Sequence, residues 1–264
     1  MDGNISYGLY TFIVKIASTS VFQVSLLIVV VMMLAYHSTN LNDWCTVVAQ
    51  KNVLLVIAHP DDECMFFSPC AQAMAKYAEN VYLLCISDGD YHGMGKIRPK
   101  ELIKSCKFLG IDRIEIIFNK FLQDDPNANW DKKLLKKIFR DRICQHRINV
   151  IVTFDEYGVS GHANHISLYH ALNELIHEES DDCIAQIEAF ALKSVNVIRK
   201  YIGIMDIIWT ILLKGNSYVC INSFGGCIAS QLAMRAHASQ FVWFRRLYVI
   251  FSRYMLINTL ERIG

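Results

Sequence analysis

Short apolar runs alternate with amphipathic segments along most of the chain. Four runs have the length and composition of strands buried on both faces, and they are Val53–Ala58, Val81–Ile86, Ile114–Phe118 and Val150–Phe154. A stretch with helical periodicity follows each run, and helices are predicted over Met65–Glu79, Pro99–Leu109, Asp131–His146 and His162–His177. Four strand–helix repeats predict an α/β fold, with a mainly parallel sheet and helices on both faces.

The last third of the chain is less regular. Ile187–Leu192 fits a further strand, and Val195–Leu213 fits a strongly apolar helix. The segment Trp243–Tyr254 mixes aromatic and basic residues. That mixture fits a helix on a membrane surface, and it fits equally a helix packed on the core with arginine side chains extended to solvent.

The N-terminal region precedes the first predicted strand. Ile16–Ala35 is almost free of charge, and twenty helical residues span roughly 30 Å, about one hydrocarbon core. A cleaved signal peptide and a buried helix are the alternatives, but no small-residue cleavage site follows the run. We therefore predict a membrane anchor over residues 1–36, a polar linker over 37–52 and a folded domain over 53–264.

Composition and cysteine usage narrow the possible functions. The chain of 264 residues is 53% hydrophobic with a net charge of +1, which supports a large core and excludes a disordered chain. The sequence contains no basic run that would predict a nucleic-acid-binding surface, and no glycine-rich phosphate loop follows the first strand. The nine cysteines form no Cys-x-x-Cys pair and lie mostly in apolar runs, which predicts free thiols in a domain that faces the cytosol.

The first candidate site follows the first strand, in the sequence His59-Pro60-Asp61-Asp62-Glu63. Imidazole and carboxylate groups are good zinc ligands. Adjacent aspartates cannot point the same way from a regular backbone, so one of them can bind a metal while the other faces a substrate. Glu63 falls at the start of a predicted helix, where its charge favours the helix dipole, and capping is its predicted role.

The second candidate site follows the fourth strand, in Ser160-Gly161-His162-Ala163-Asn164-His165. Histidines at i and i+3 lie on one face of a helix, but this motif alone is weak. Its position adds the argument, because sites in parallel sheets form at the carboxyl ends of strands. Three protein ligands would leave zinc an open position for catalysis. His162 lies at a helix N-terminus, which favours a neutral imidazole that donates a hydrogen bond.

The two motifs resemble the paired signatures of the N-acetylglucosaminyl-phosphatidylinositol de-N-acetylases and of their bacterial sugar-deacetylase relatives. Other segments are similar to the eukaryotic members, and they are Val81–Cys85, Val159–His162, Ser194–Tyr201 and Trp243–Tyr248. The resemblance covers roughly Val53–Asn258. It implies a Rossmann-like sheet with Zn²⁺ at its carboxyl edge, although another divalent metal would suit the same ligands.

The resemblance also implies roles for five side chains. It implies metal ligation by His59, Asp62 and His165. It implies that Asp61 is the general base and that His162 stabilises an oxyanion. These roles are expectations carried over from the family onto matching positions.

Two further residues are similar to other positions of the family pattern. Arg98 resembles a family arginine that contacts the substrate, and a plain salt bridge to Glu101 is the alternative. His237 matches a C-terminal pattern of the family and is a candidate to support the site from behind. The loop Asp88–His92 matches no family pattern.

The implied activity is removal of the N-acetyl group from N-acetylglucosaminyl-phosphatidylinositol, an early step of GPI-anchor biosynthesis. The implied location is the endoplasmic reticulum membrane, crossed once, with the catalytic domain in the cytosol. The expected partners are therefore a phosphatidylinositol-linked amino sugar and the membrane. Two alternatives stay open: a deacetylase of a soluble N-acetylglucosamine conjugate, and an inactive membrane-tethered subunit of a biosynthetic complex. The apolar N-terminal run argues against the first, and an intact Asp61 argues against the second.

Overall fold

A single seven-stranded sheet organises the domain. The computed structural model describes residues 18–30, 33, 44–178 and 182–264. Within them the strands are β1 (Asn52–Ile57), β2 (Asn80–Cys85), β3 (Arg113–Ile116), β4 (Val150–Phe154), β5 (Glu188–Leu192), β6 (Tyr218–Ile221) and β7 (Ile257–Ile263). They lie in the order β3-β2-β1-β4-β5-β7-β6. The first five run parallel, and β7 runs antiparallel to both of its neighbours.

Two groups of helices pack against this sheet. The helices are α1 (Trp44–Val48), α2 (Asp62–Met65), α3 (Ser68–Tyr77), α4 (Arg98–Leu109), α5 (Lys132–His146), α6 (Gly158–Gly161), α7 (Ala163–Ile176), α8 (Asp182–Ala185), α9 (Val197–Tyr201), α10 (Asp206–Leu213), α11 (Phe224–Ala236) and α12 (Trp243–Phe251). One group joins α5, α7 and α8, and α7 packs on β1, β4 and β5. The other joins α3, α4 and α11, and α3 packs on β2, β6 and β7. The sheet is therefore covered by helices, as the apolar strands predict.

The strand order places the two sequence motifs side by side. From β1 the chain continues outward to β2 and β3, whereas β4 and β5 lie on the other side of β1. The strand order thus reverses between β1 and β4, and ligands bind at such a switch point in open α/β sheets. The segments that follow β1 and β4 meet there, which confirms the predicted α/β architecture where it matters for the site.

The C-terminal third differs from the prediction. The antiparallel strands β6 and β7 were not predicted. The predicted helix Val195–Leu213 is wrong, because α9 and α10 are separated by a 3₁₀ turn over Gly203–Met205. Gly203 has a φ of 54°, and a Cβ there would lie 3.3 Å from the carbonyl oxygen of Phe251. The backbone must therefore turn at this glycine to pack against the end of α12.

The N-terminal anchor falls largely outside the described residues. Residues 18–30 are helical, and nearly all of their side chains are exposed. Residues 1–17, 31–32 and 34–43 are not described, so the predicted span cannot be followed from end to end. No helix within the described residues is long and apolar enough to cross a membrane.

The predicted linker contains part of the core. Trp44 and Val48 of α1 are completely buried. The Trp44 ring meets the rings of Phe190 and Tyr218 edge-on, with centroids 5.1 and 6.1 Å away. The folded domain therefore begins at or before Trp44 and not at Val53, because a buried indole supplies a large apolar contact.

Loss of the Trp44 side chain should weaken the domain without touching the site. We expect Trp44→Ala to lower the free energy of unfolding by about 3–5 kcal/mol, the usual cost of removing a buried large aromatic side chain. Urea unfolding of the purified chain would measure it. Removal of residues 1–36 should preserve cooperative unfolding, whereas removal of residues 1–51 should abolish it. An unchanged unfolding midpoint for Trp44→Ala would show that α1 does not belong to the core.

Candidate metal centre

A tight turn after β1 presents the first motif. The Asp62 carboxylate accepts hydrogen bonds from the backbone N–H groups of Ala58 and His59, at 3.0 and 2.8 Å. Asp61 has a φ of 123°, a conformation that side-chain-bearing residues rarely adopt. Its N–H donates to Glu63 at 3.0 Å. Side chains of the motif itself thus stabilise a strained backbone and separate the directions of the two aspartates.

Two imidazoles and one carboxylate converge at the carboxyl ends of β1 and β4. His59 Nδ1 lies 3.3 Å from His165 Nε2. The Asp62 carboxylate lies 3.4 Å from His165 Nε2 and 3.7 Å from His59 Nδ1. All three side chains are buried. The sequence-predicted ligands are therefore brought together, and their donor set suits a divalent metal such as zinc.

Hydrogen bonds on the far side of each ring turn the required nitrogen towards this point. His165 Nδ1 lies 3.1 Å from the carbonyl oxygen of Gly158, which accepts its proton. His59 Nε2 faces two acceptors, the side-chain oxygens of Asn164 at 3.0 Å and Asp124 at 3.2 Å. Each ring therefore carries its proton on the outer nitrogen and keeps an inner lone pair free. Histidines that ligate metals are oriented in this way.

The electrostatics favour the charge states that a metal needs. Burial lowers the pKa of His59, which keeps its imidazole neutral. Burial alone would raise the pKa of Asp62, but His165, His59 and the backbone donors outweigh it, and the net pKa is lowered. A neutral imidazole and an ionised carboxylate are the forms that bind a cation.

His162 adjoins this group but is engaged differently. Its ring centroid lies 4.7 Å from that of His59 and 4.8 Å from that of His165, and nitrogens of the three rings lie within 4.8 Å of one another. His162 caps α7, where its Nδ1 accepts the N–H of Asn164 at 3.3 Å. Burial and the two neighbouring histidines lower its pKa to about 4. A neutral ring that accepts at Nδ1 carries its proton on Nε2, so His162 is arranged as a hydrogen-bond donor.

Asp61 lies between two arginines. Its carboxylate forms an ion pair with Arg245, and Arg98 Nη2 lies 3.4 Å away. Arg245 comes from α12, in the segment that the sequence left between two interpretations. No sequence motif predicted this contact, because 184 residues separate the partners. The two guanidinium groups fix the direction of the Asp61 carboxylate.

Arg98 joins three loops at the edge of the cleft. It donates to the carbonyl oxygens of Pro60 at 2.7 Å and Gly89 at 2.9 Å, and to Asp124 at 3.0 Å. The alternative salt bridge to Glu101 is wrong, since that carboxylate accepts hydrogen bonds from Ser239 instead. Arg98 therefore connects the turn after β1 to the loops after β2 and β3.

Asp124 is a site residue that the sequence motifs missed. One of its oxygens faces His59 and the other accepts from Arg98. It lies in the loop 119–129, which follows β3 and therefore starts at the same edge of the sheet. The polar composition of that loop and its place after a parallel strand were the available signals.

A buried pair supports the turn from behind. Glu63 and His237 are both completely buried, and His237 Nε2 lies 2.7 Å from the Glu63 carboxylate. The predicted capping role of Glu63 agrees with its bond to the Asp61 N–H, but the carboxylate also accepts from Ser105. His237 thus reaches the site through Glu63, as expected for a supporting residue.

An open cleft of about 560 Å³ lies above these groups. Its floor is polar and includes His59, Asp61 and His162. The lining that α9 and α12 contribute includes the rings of Tyr201 and Phe244 beside the charged side chains of Lys200 and Arg245. Such a cleft suits a ligand with one polar and one apolar part.

Comparison with known proteins decides the family. A protein-family model described as "PIG-L: GlcNAc-PI de-N-acetylase" matches residues 54–176. A probable N-acetylglucosaminyl-phosphatidylinositol de-N-acetylase of Dictyostelium discoideum is 39% identical, over 86% of this chain and 98% of its own length. The N-acetylglucosaminyl-phosphatidylinositol de-N-acetylase of Bos taurus is 41% identical, over 80% of this chain and 83% of its own length. This chain belongs to the PIG-L family.

Solved structures with the same fold are more distant in sequence. N,N'-diacetylchitobiose deacetylase from Pyrococcus horikoshii, complexed with an inhibitor, superposes with a TM-score of 0.58 at 16% identity, over 80% of this chain and 83% of its own. The zinc-inhibited form of a teicoplanin deacetylase gives 0.55 at 13% identity, over 80% and 98%. These values confirm the fold of this PIG-L protein.

The buried Glu63–His237 pair should make the stability of this PIG-L protein depend on pH. Burial lowers the pKa of His237, but the Glu63 carboxylate outweighs it, and the net pKa is raised above the ordinary 6.5. The folded state then holds a proton that the unfolded state releases, so the stabilisation is complete below pH 6.5 and disappears as pH rises through the raised pKa.

Thermal unfolding of the wild type and of His237→Gln would test this. The wild type should melt at the higher temperature at pH 6, and the difference should shrink as pH rises to 9. A difference that does not change with pH would show that the pair carries no charge.

Proposed function

We propose that this chain hydrolyses the N-acetyl group of N-acetylglucosaminyl-phosphatidylinositol, giving glucosaminyl-phosphatidylinositol and acetate in GPI-anchor biosynthesis. One observation carries the proposal: buried or half-buried groups that could hold a metal ion, His59, His162 and His165, line one cleft together with aromatic and aliphatic side chains. The curated relatives, at 39% and 41% identity, have this activity in their names. An amino-sugar headgroup suits the polar floor, and its lipid suits the aromatic and aliphatic side chains.

The proposed ligands of the divalent metal are His59, Asp62 and His165. Their support is the convergence of three donor groups whose outer atoms are already hydrogen-bonded. When bound, zinc supplies a Lewis acid that lowers the pKa of water and polarises a carbonyl group. Three protein ligands leave it an open coordination position, which catalytic zinc sites require.

Asp61 is the proposed general base. Its carboxylate lines the cleft next to the ligand Asp62, but the unusual backbone between them turns it in another direction. It accepts the proton of the attacking water and can deliver that proton to the amine that leaves. Arg245 and Arg98 hold the carboxylate in place for this transfer.

His162 is the proposed oxyanion donor, and Arg98 the proposed substrate contact. The Nδ1 of His162 is occupied by the helix cap, so a neutral ring offers the Nε2–H to the developing negative charge. Arg98 lines the cleft beside Asp61 and can direct a positive charge at a phosphate or a sugar hydroxyl.

The proposed location is the endoplasmic reticulum membrane, with a single anchor over residues 1–36 and the catalytic domain in the cytosol. The exposed apolar helix over residues 18–30 supports an anchor. No disulfide joins the cysteines of the described domain, and six of the nine are buried. Buried thiols fit a reducing compartment.

Turnover of the lipid would test the proposed reaction directly. Purified full-length protein with synthetic N-acetylglucosaminyl-phosphatidylinositol should release acetate, because the site combines metal ligands with a base. A chelator should abolish release, and added zinc should restore it. A soluble N-acetylglucosamine conjugate is the control substrate and should react more slowly. Absence of acetate from the lipid would contradict the proposal, and preference for the soluble conjugate would favour the alternative substrate.

Two neighbouring variants would separate metal binding from proton transfer. Asp61→Asn preserves shape but removes the basic carboxylate, so zinc should stay bound while kcat falls about 10²-fold to 10⁴-fold. KM should change little. Asp62→Asn should instead lower zinc content, because a neutral amide is a poorer ligand than a carboxylate. Zinc stoichiometry and steady-state kinetics measure both effects. Loss of zinc from Asp61→Asn alone would reverse the two roles.

A further inference from the structure

Three C-terminal helices leave their apolar side chains in solvent. On α12, Trp243, Leu247 and Ile250 recur at the spacing of a helical stripe, and each is about half exposed or more. Such a stripe normally packs on a core, yet the buried residue of α12 is Tyr248. The apolar stripe of α12 therefore faces solvent and not the core.

The helices α9 and α10 continue this surface. Val197 and Ile198 of α9 are 72% and 75% exposed. Trp209 and Leu212 of α10 are 55% and 73% exposed. Soluble monomers rarely expose contiguous apolar patches of this kind unless the patch binds something.

These elements pack together, so their exposed side chains form one face. The Tyr201 ring of α9 lies 6.3 Å from the Tyr248 ring of α12. The turn at Gly203, which leads into α10, packs against the backbone of Phe251 at the end of α12. We call the exposed apolar side chains of α9, α10 and α12 the docking face.

The docking face borders the mouth of the catalytic cleft. Tyr201 of α9 and Phe244, Leu247 and Phe251 of α12 line that cleft and are also about half exposed. A molecule resting on the face would therefore lie directly at the entrance to the site. Because the docking face is continuous with the cleft, we expect the molecule bound to the face to carry the substrate as well.

The charge pattern selects an anionic occupant. Residues 189–260 contain eight basic residues, which are Lys193, Arg199, Lys200, Lys214, Arg235, Arg245, Arg246 and Arg253, and one acidic residue, Asp206. Lys193 and Arg245 form ion pairs with Glu261 and Asp61, outside this span. Lys200 of α9 and the exposed Arg246 of α12 therefore carry positive charge on this part of the molecule. Asp206 is completely buried and paired with Arg199 at 2.6 Å and Arg253 at 3.0 Å. No carboxylate of this span therefore reaches the surface to repel a phosphate.

We propose that the catalytic domain docks on the surface of an anionic phospholipid bilayer through this face, with α12 lying in the interface and the cleft opening onto the headgroups. Helices with aromatic and aliphatic residues on one side and arginines beside them bind bilayers in this orientation. The residues of the docking face lie between Val197 and Phe251, far along the chain from the predicted N-terminal anchor. The direction of the cleft rests on the proposed lipid substrate, whereas the docking itself does not.

The four tryptophans of the chain provide a built-in probe. Trp44 and Trp130 are buried, whereas Trp209 and Trp243 lie exposed on the docking face. The test reconstitutes the full-length chain into vesicles of phosphatidylcholine and phosphatidylinositol whose acyl chains carry bromine, a contact quencher of indole fluorescence. The wild type should lose emission relative to unbrominated vesicles. The double variant Trp209→Phe/Trp243→Phe should show no such loss, because its two remaining indoles are inside the protein.

Charge on the face supplies the second arm. The double variant Ile198→Glu/Leu212→Glu should lose the quenching of Trp209 and Trp243. The matched control is Ile103→Glu/Phe108→Glu, which places the same two charges on half-exposed apolar positions of α4, outside the docking face. It should be quenched like the wild type.

Three results would overturn docking. One is an unquenched wild type in vesicles, and another is equal quenching of the wild type and the double glutamate variant. The third is a dimer in detergent that Ile198→Glu/Leu212→Glu converts to a monomer, which would assign the face to a second copy of the chain. None of these measurements uses substrate or turnover, so they stand apart from any failure of the proposed deacetylation.

Discussion

The carboxylate of Asp62 joins the two halves of the site. One oxygen accepts two backbone N–H groups at the end of β1, and the other faces a histidine carried by the helix after β4. Buried carboxylates are costly unless they are fully paired, and here the backbone of the turn provides the pairing. The turn, the direction of Asp61 and the position of the imidazoles all depend on this one group. A cation that binds between the histidines would satisfy the remaining charge, so the fold and the candidate metal site would use the same contacts.

The sequence predicted the elements that local hydrophobic patterns determine. Strands β1 to β5 agree with the predicted runs to within two residues, and β4 agrees at both ends. The motif residues could be assigned to one edge because parallel strands end together. Asp124 and Arg245 could not be found in this way. Their roles arise from contacts with residues far along the chain, and neither lies in a pattern that distinguishes it from a surface charge.

The C-terminal third shows a different limit of prediction. An apolar stripe predicts a helix face that avoids water, but it does not say which partner covers the face. The apolar stripes of α10 and α12 resemble those of helices in a protein core. The segment Trp243–Tyr254 therefore fits both a core helix and a helix on a membrane surface. The antiparallel strands β6 and β7 were missed because a short apolar run can belong to either kind of element. The domain boundary was predicted too far along the chain for another reason. The segment 37–52 is mostly polar, and nothing in its pattern indicates that Trp44 is buried.

At Asp61, a backbone conformation that lowers stability and a side chain that the proposed reaction needs belong to the same residue. A φ of 123° is comfortable for glycine and strained for aspartate. Selection for a stable fold alone would replace this residue, and so would a design procedure that scores stability. The carboxylate occupies a position that its own backbone disfavours. Glu63 accepts a hydrogen bond from the Asp61 N–H, and Asp62 accepts one from the N–H of His59 in the same turn. Redesign guided by stability alone would thus find a gain at Asp61, where the proposed reaction needs the carboxylate.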